Sequence, residues 1–88
     1  MFNVYLLYSE KFNKTYIGYS SDVELRLQWH NELSERGWTK KYRPWKIIYL
    51  EEYGSKSEAL QREKYFKTGV GREKIQQILN EYLQNMRS

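Results

Sequence analysis

Cysteine is absent from this 88-residue chain, which excludes a disulfide framework, a thiolate metal site and a cysteine nucleophile. The lone histidine, His30, excludes a multi-histidine zinc site, since no cysteine is there to complete the ligand set. Apolar runs are short and broken by charge, so none matches the length of a membrane span, and the N-terminus lacks the basic-then-apolar order of a signal peptide. A cytoplasmic location is the default expectation. Proline occurs once, at Pro44, and neither a repeat nor a low-complexity tract interrupts the sequence.

Aromatic residues are abundant instead: nine tyrosines, three tryptophans and three phenylalanines. They supply the burial that offsets chain entropy, which argues for a folded chain of one domain over residues 1–88. The formal net charge of +4 and a pI near 9.3 suit a polyanionic partner, because lysine and arginine gain affinity by releasing counterions from phosphates.

Two β-rich runs, Phe2 to Tyr8 and Thr15 to Tyr19, flank a polar turn and predict an antiparallel hairpin. Ser21-Asp22-Val23-Glu24 has capping-box spacing and predicts a helix from Asp22 to about Leu33, its end blurred by Ser34 to Gly37. A basic stretch from Trp38 to Pro44 leads into a third strand over Trp45 to Tyr53. Ser55-Lys56-Ser57-Glu58 repeats the capping box and opens a second helix to about Lys67, with Thr68-Gly69 as its stop and Gly69-Val70-Gly71 as an interhelical turn. Ile75, Ile78, Leu79 and Tyr82 form the stripe of a third helix. The expected fold is α+β: a three-stranded antiparallel sheet flanked by helices, in the order ββαβαα.

At 100° per residue, Arg26 and His30 fall within the arc of Val23, Leu25, Leu27, Trp29 and Leu33, and Glu63 falls between Ala59, Leu60 and Phe66. Ionisable groups aimed inward are costly without partners. Two outcomes fit: a structural Arg26–Glu63 ion pair with a carbonyl-satisfied His30, or a polar cleft shared by both helices. Strand tyrosines are ordinarily packing residues, and only registration with these helix residues lifts Tyr5 and Tyr16. Lys40, Lys41 and Arg43, flanked by Trp38 and Trp45, fit either a solvated loop or a nucleic-acid track.

The order Asn3-Val4-Tyr5, Tyr16-Ile17-Gly18, Arg26, His30 and Glu63 resembles the GIY-YIG nuclease family. Tyr5 matches the first triplet's tyrosine, Tyr16 and Gly18 match the second triplet, Arg26 matches the helix arginine, His30 the histidine-or-tyrosine position, and Glu63 the metal-binding glutamate. The likeness is strongest to small stand-alone bacterial members that look like the catalytic domain of the excision-repair nuclease subunit, where stretches similar to Tyr16-Ile17-Gly18-Tyr19 and Ser57-Glu58-Ala59-Leu60-Gln61-Arg62-Glu63-Lys64 recur. Asn3 replaces the first motif's glycine, and an asparagine carried by some repair members has no counterpart near Thr68 to Arg72.

The resemblance implies a metal-dependent endonuclease that acts on nucleic acid, with DNA ahead of RNA, as a monomer or weak homodimer. Glu63 would hold one Mg²⁺ or Mn²⁺, Arg26 would brace the phosphate, and Tyr5 would orient and deprotonate water beside Tyr16, with His30 as proton acceptor or relay. Two other functions compete: a nucleic-acid-binding module without strong catalysis, and a protein-interaction domain displaying the third helix.

Overall fold

The computed structural model describes residues 1–35 and 37–87. Strand β1 (Phe2–Ser9) turns through a loop into β2 (Lys14–Ser20), and β3 (Lys46–Tyr53) pairs with the opposite edge of β1. The sheet is antiparallel throughout in the order β2-β1-β3. Asn13 takes a left-handed φ of 53° at the hairpin turn, a conformation asparagine tolerates, and accepts a hydrogen bond from the Tyr8 hydroxyl.

A central strand buries both faces, so β1 is apolar almost throughout rather than alternating. Val4 and Leu6 point to a cluster with Ile17, Ala59, Phe66 and Ile78, whereas Tyr5 and Leu7 point to a second cluster with Trp45, Tyr16, Val23 and Leu27. The first cluster is covered by α3 (Lys56–Phe66) and α4 (Gly69–Arg87). The second is covered by α1 (Val23–Gln28) and the chain after it. The expected α+β sheet and helices are therefore present, and Ile78 and Leu79 lie buried on the α4 stripe.

The structure departs from the sequence expectations in several places. Asp22, rather than Ser21, caps α1, accepting from the Leu25 amide at 3.1 Å; Glu24 thus sits one position too early to close a capping box. The first helix then widens into a π-helical turn over Trp29–Leu33, closed by the Ser34 amide donating to the Trp29 carbonyl at 2.8 Å. Arg36, in the blurred end of that helix, lies outside the described residues.

Trp38–Lys41 is also helical, a short α2 where a basic loop is expected. Finally, Gly69 and Gly71 belong to α4, and the turn is Lys67-Thr68. A Cβ at Gly71 would collide with the Tyr65 carbonyl and Phe66 backbone, so α4 can start this close to α3 only with glycine there. At α3 Ser55 caps as expected, its Oγ accepting from the Glu58 amide, and the Glu58 carboxylate accepts from the Ser55 hydroxyl at 3.0 Å rather than from the Ser55 amide. No helix among the described residues is long and apolar enough to cross a membrane.

Candidate active site

Tyr5 and Gly18 are cross-strand partners in the β1–β2 register, and the phenol of Tyr5 lies over the glycine. A Cβ on Gly18 would stand 2.5 Å from the Tyr5 hydroxyl oxygen, 2.6 Å from Cζ and 3.2 Å from Tyr16 Cε1. The second triplet's glycine is thus required by the first triplet's tyrosine. Asn3 sits in regular strand pairing opposite Ser20 and Glu52, without a positive φ, so this backbone has no need of glycine at that point.

Beside this pair opens a cleft of about 440 Å³ whose walls include Tyr5, Tyr16, Gly18, Arg26, Lys56 and Glu63. β1 and β2 supply the tyrosines, α1 the arginine, and α3 the glutamate. The Arg26 guanidinium rests 4.3 Å from the centre of the Trp29 ring, one turn further on, which holds its planar group ready. Glu63 makes an i,i+4 ion pair with Lys67 at 2.8 Å, and among the described residues it is this lysine, not Arg26, that pairs with it. The closed Arg26–Glu63 pair is therefore not formed.

His30 is not on the cleft wall. It lies behind Tyr5, 1% exposed, with Nε2 3.0 Å from the Tyr5 hydroxyl and Nδ1 3.1 Å from Thr39 Oγ1. Burial, then the nearby Arg26 and Arg43 charges, lower its pKa from 6.5 to about 4, so the imidazole is neutral at physiological pH. A neutral imidazole donates from one nitrogen and accepts at the other. When the Tyr5 O–H donates to Nε2, the Nδ1–H donates to Thr39. Burial pushes Tyr5 itself from 10 up to about 12, with Tyr16 adding to the rise and Arg26 pulling against it.

The basic residues of the expected track divide. Lys40 and Lys41 are exposed on α2, Lys40 donating to the Glu35 carbonyl at 3.1 Å. Arg43 is turned inward: Nε donates to the His30 carbonyl at 2.6 Å and the terminal nitrogen to the Ser34 carbonyl at 2.5 Å. It satisfies carbonyls that the wide helical turn leaves open, as a cation near a helix C-terminus does. Trp45 is buried and donates to the Thr39 carbonyl, while Trp38 is 44% exposed and stacks on Tyr16.

Three further residues enter the site without having been singled out from the sequence. Lys56 lines the cleft and Thr39 orients His30, and neither carries a sequence signal that marks it. Lys67 was legible, because its spacing from Glu63 is that of a helical ion pair.

A family model described as the GIY-YIG catalytic domain matches residues 1–76. A UPF0213 protein of Staphylococcus haemolyticus is 40% identical over 68 residues, covering 77% of this chain and 83% of its own length. A UPF0213 protein of Staphylococcus aureus is 41% identical over 63 residues, 72% of this chain and 77% of its own. The UPF0213 protein YazA of Bacillus subtilis is 40% identical over 57 residues, covering 65% and 58% respectively.

Proposed function

This chain belongs to the GIY-YIG catalytic-domain family, a nuclease-type family, and from that premise we propose that it is a metal-dependent endonuclease that hydrolyses phosphodiester bonds, in DNA ahead of RNA. Residues 1–88 are read as one such domain, working in the cytoplasm as a monomer or weak homodimer. The observation that carries the reading is the open cleft on whose walls Tyr5, Tyr16, Arg26 and Glu63 meet.

The cleft suits a cation at Glu63. Its carboxylate already holds an ammonium at 2.8 Å, and the Glu63 side chain is only 13% exposed. A single carboxylate in an open cleft fits Mg²⁺ or Mn²⁺, ions that keep several waters and share the substrate's phosphate rather than demanding a protein cage. Among the described residues no group of three or more acidic or histidine side chains offers such a cage. When bound, the ion supplies Lewis-acid charge to a phosphoryl oxygen and to the departing 3′ oxygen.

The chain's own groups do the rest. Arg26, held by Trp29, braces the phosphate and opposes its growing negative charge with a planar guanidinium. Tyr5 orients the attacking water, with Tyr16 beside it. A free phenolate at a position near 12 would be costly at neutral pH. Tyr5 therefore takes the water's proton in concert with passing its own to His30 Nε2, which is unprotonated and so open to it. With its pKa lowered to about 4 the imidazole is a weak base, so it relays the proton during attack and does not store it.

Supercoiled plasmid incubated with Mg²⁺ or Mn²⁺ tests the reading. Nicking that stops with EDTA and is abolished in Glu63→Ala, whose fold should be unaffected, is the expected result. Plasmid that is retarded but intact points to a non-catalytic binder, and cleavage at an unchanged rate in Glu63→Ala rejects the role given to that residue.

A further inference from the structure

A second groove of about 330 Å³ shares Tyr16 with the cleft and is lined by Thr15, Tyr16, Trp38, Lys67, Arg72 and Ile75 among others. Lys67 belongs to the groove and Glu63 to the cleft, so their 2.8 Å ion pair bridges the two. We propose that this groove takes the phosphodiester backbone of the strand flanking the scissile bond, and that Lys67 exchanges Glu63 for a phosphate when the strand enters.

The charge of the groove favours that occupant: its ionisable lining is Lys67 and Arg72, with no acidic residue. The Arg72 guanidinium has no hydrogen-bond or ion-pair partner among the described residues. Trp38, 44% exposed and stacked on Tyr16 with 28° between the rings, offers a face on which a base can lie. Successive phosphates on one strand advance only about 3.4 Å along a duplex axis. A groove one aromatic ring away from the cleft is therefore within a few nucleotides of the scissile bond.

The ion pair is suited to exchange. The Lys67 side chain is 56% exposed, so its hold on Glu63 is that of a rim pair, which a multiply anionic strand outcompetes. Without nucleic acid, Lys67 occupies the carboxylate that would take the divalent cation; with a strand in the groove that carboxylate is released, so cation and substrate bind in support of each other. The exchange rests on the assignment of Glu63 under the proposed function, whereas the groove itself does not.

Two measurements separate these parts. Anisotropy of a labelled duplex in EDTA, across a salt series, needs neither cation nor cleavage; Lys67→Met and Arg72→Met should each lower the slope of log K against log salt by about 0.9, the loss of one phosphate contact. Wild-type affinity and slope in both variants overturn the groove. Mn²⁺ uptake followed by electron paramagnetic resonance, without DNA, should be roughly two- to five-fold tighter in Lys67→Met and unchanged in Arg72→Met, as removal of an exposed competing pair requires. Equal uptake by wild type and Lys67→Met, or none by either, overturns the exchange. Loss of the hydrolase reading shows separately, in the plasmid assay with Glu63→Ala.

Discussion

Gly18→Ala puts the site's geometry to a sharp test. The added methyl would lie 2.5 Å from the Tyr5 hydroxyl oxygen and 2.6 Å from Cζ, where ordinary contact begins at 3.4 Å. The phenol must therefore move by about 1 Å. Tyr5 is 2% exposed and its hydroxyl is fixed at 3.0 Å from His30, so the shift comes at the expense of that hydrogen bond or of core packing. Overpacking of this kind costs about 1–3 kcal/mol, and misplacing a catalytic group by about 1 Å costs on the order of 10²-fold in rate. The assay is conversion of supercoiled to open-circular plasmid beside a urea melt. Gly54→Ala is the control, since nothing lies within 4 Å of a Cβ there, and it should behave as wild type. A Gly18→Ala protein that melts and cleaves within about threefold of wild type would refute the claim that the glycine exists to seat the tyrosine.

Other expectations follow from individual contacts. Tyr5→Phe keeps the ring but strands His30 Nε2, so we expect about 1 kcal/mol of lost stability and a cleavage rate at least 10²-fold lower; an unaltered rate would remove Tyr5 from the proton path. The pKa of His30 is lower in the fold (about 4) than in the unfolded chain (about 6.5). Its contribution is thus fully present above pH 6.5 and is lost as pH falls toward 4, to a depth of at most about 3 kcal/mol. Urea melts at pH 7.5 and 4.5 should show a smaller pH dependence in His30→Gln than in wild type, and parallel behaviour would contradict the shift. Arg43→Ala should destabilise the protein by about 1–3 kcal/mol, because two helix-end carbonyls lose their donor, while changing DNA affinity less than Lys41→Ala does; the reverse ranking in a binding isotherm would restore Arg43 to the track. Arg62→Ala should lower thermal stability without altering cleavage per folded molecule. That arginine binds Glu51 at 2.8 and 3.1 Å in a cluster with Tyr49 and Tyr53, none of which lines the cleft.

The sheet was legible because β1 and β2 carry β-formers on either side of a polar turn, and α3 because its serine cap is in place. The inward placement of Glu63 was legible for the same reason: α3 keeps regular geometry, so a wheel at a fixed angle tracks its faces. The inward turn of Arg43 was not legible, because sequence shows a cation's charge but not the carbonyls waiting for it. Tyr49 and Tyr53 read as packing residues, yet both hydroxyls donate to Glu51 and, with Arg62, hold its pKa near 2 against the opposing effect of burial.

The instructive failure is the first helix. A regular wheel keeps Arg26 and His30 on one face, a turn apart, and groups them with Leu25 and Leu33 as one inward arc. In the structure Leu25 is 55% and Leu33 53% exposed, Arg26 reaches the cleft, and His30 is buried behind Tyr5. The π-helical turn over Trp29–Leu33 begins between the two ionisable residues, and its wider winding breaks the constant angle on which the wheel depends, which carries Leu33 off the arc; Leu25 lies before it, in the regular part of α1, at the edge of the arc. That break fits the proposed chemistry. A guanidinium that meets phosphate must face water, whereas an imidazole that takes a phenol's proton must be unprotonated and within reach of the phenol, as His30 is behind Tyr5. A widened turn between them supplies both, and Arg43, by donating to the His30 and Ser34 carbonyls, helps to keep it wide.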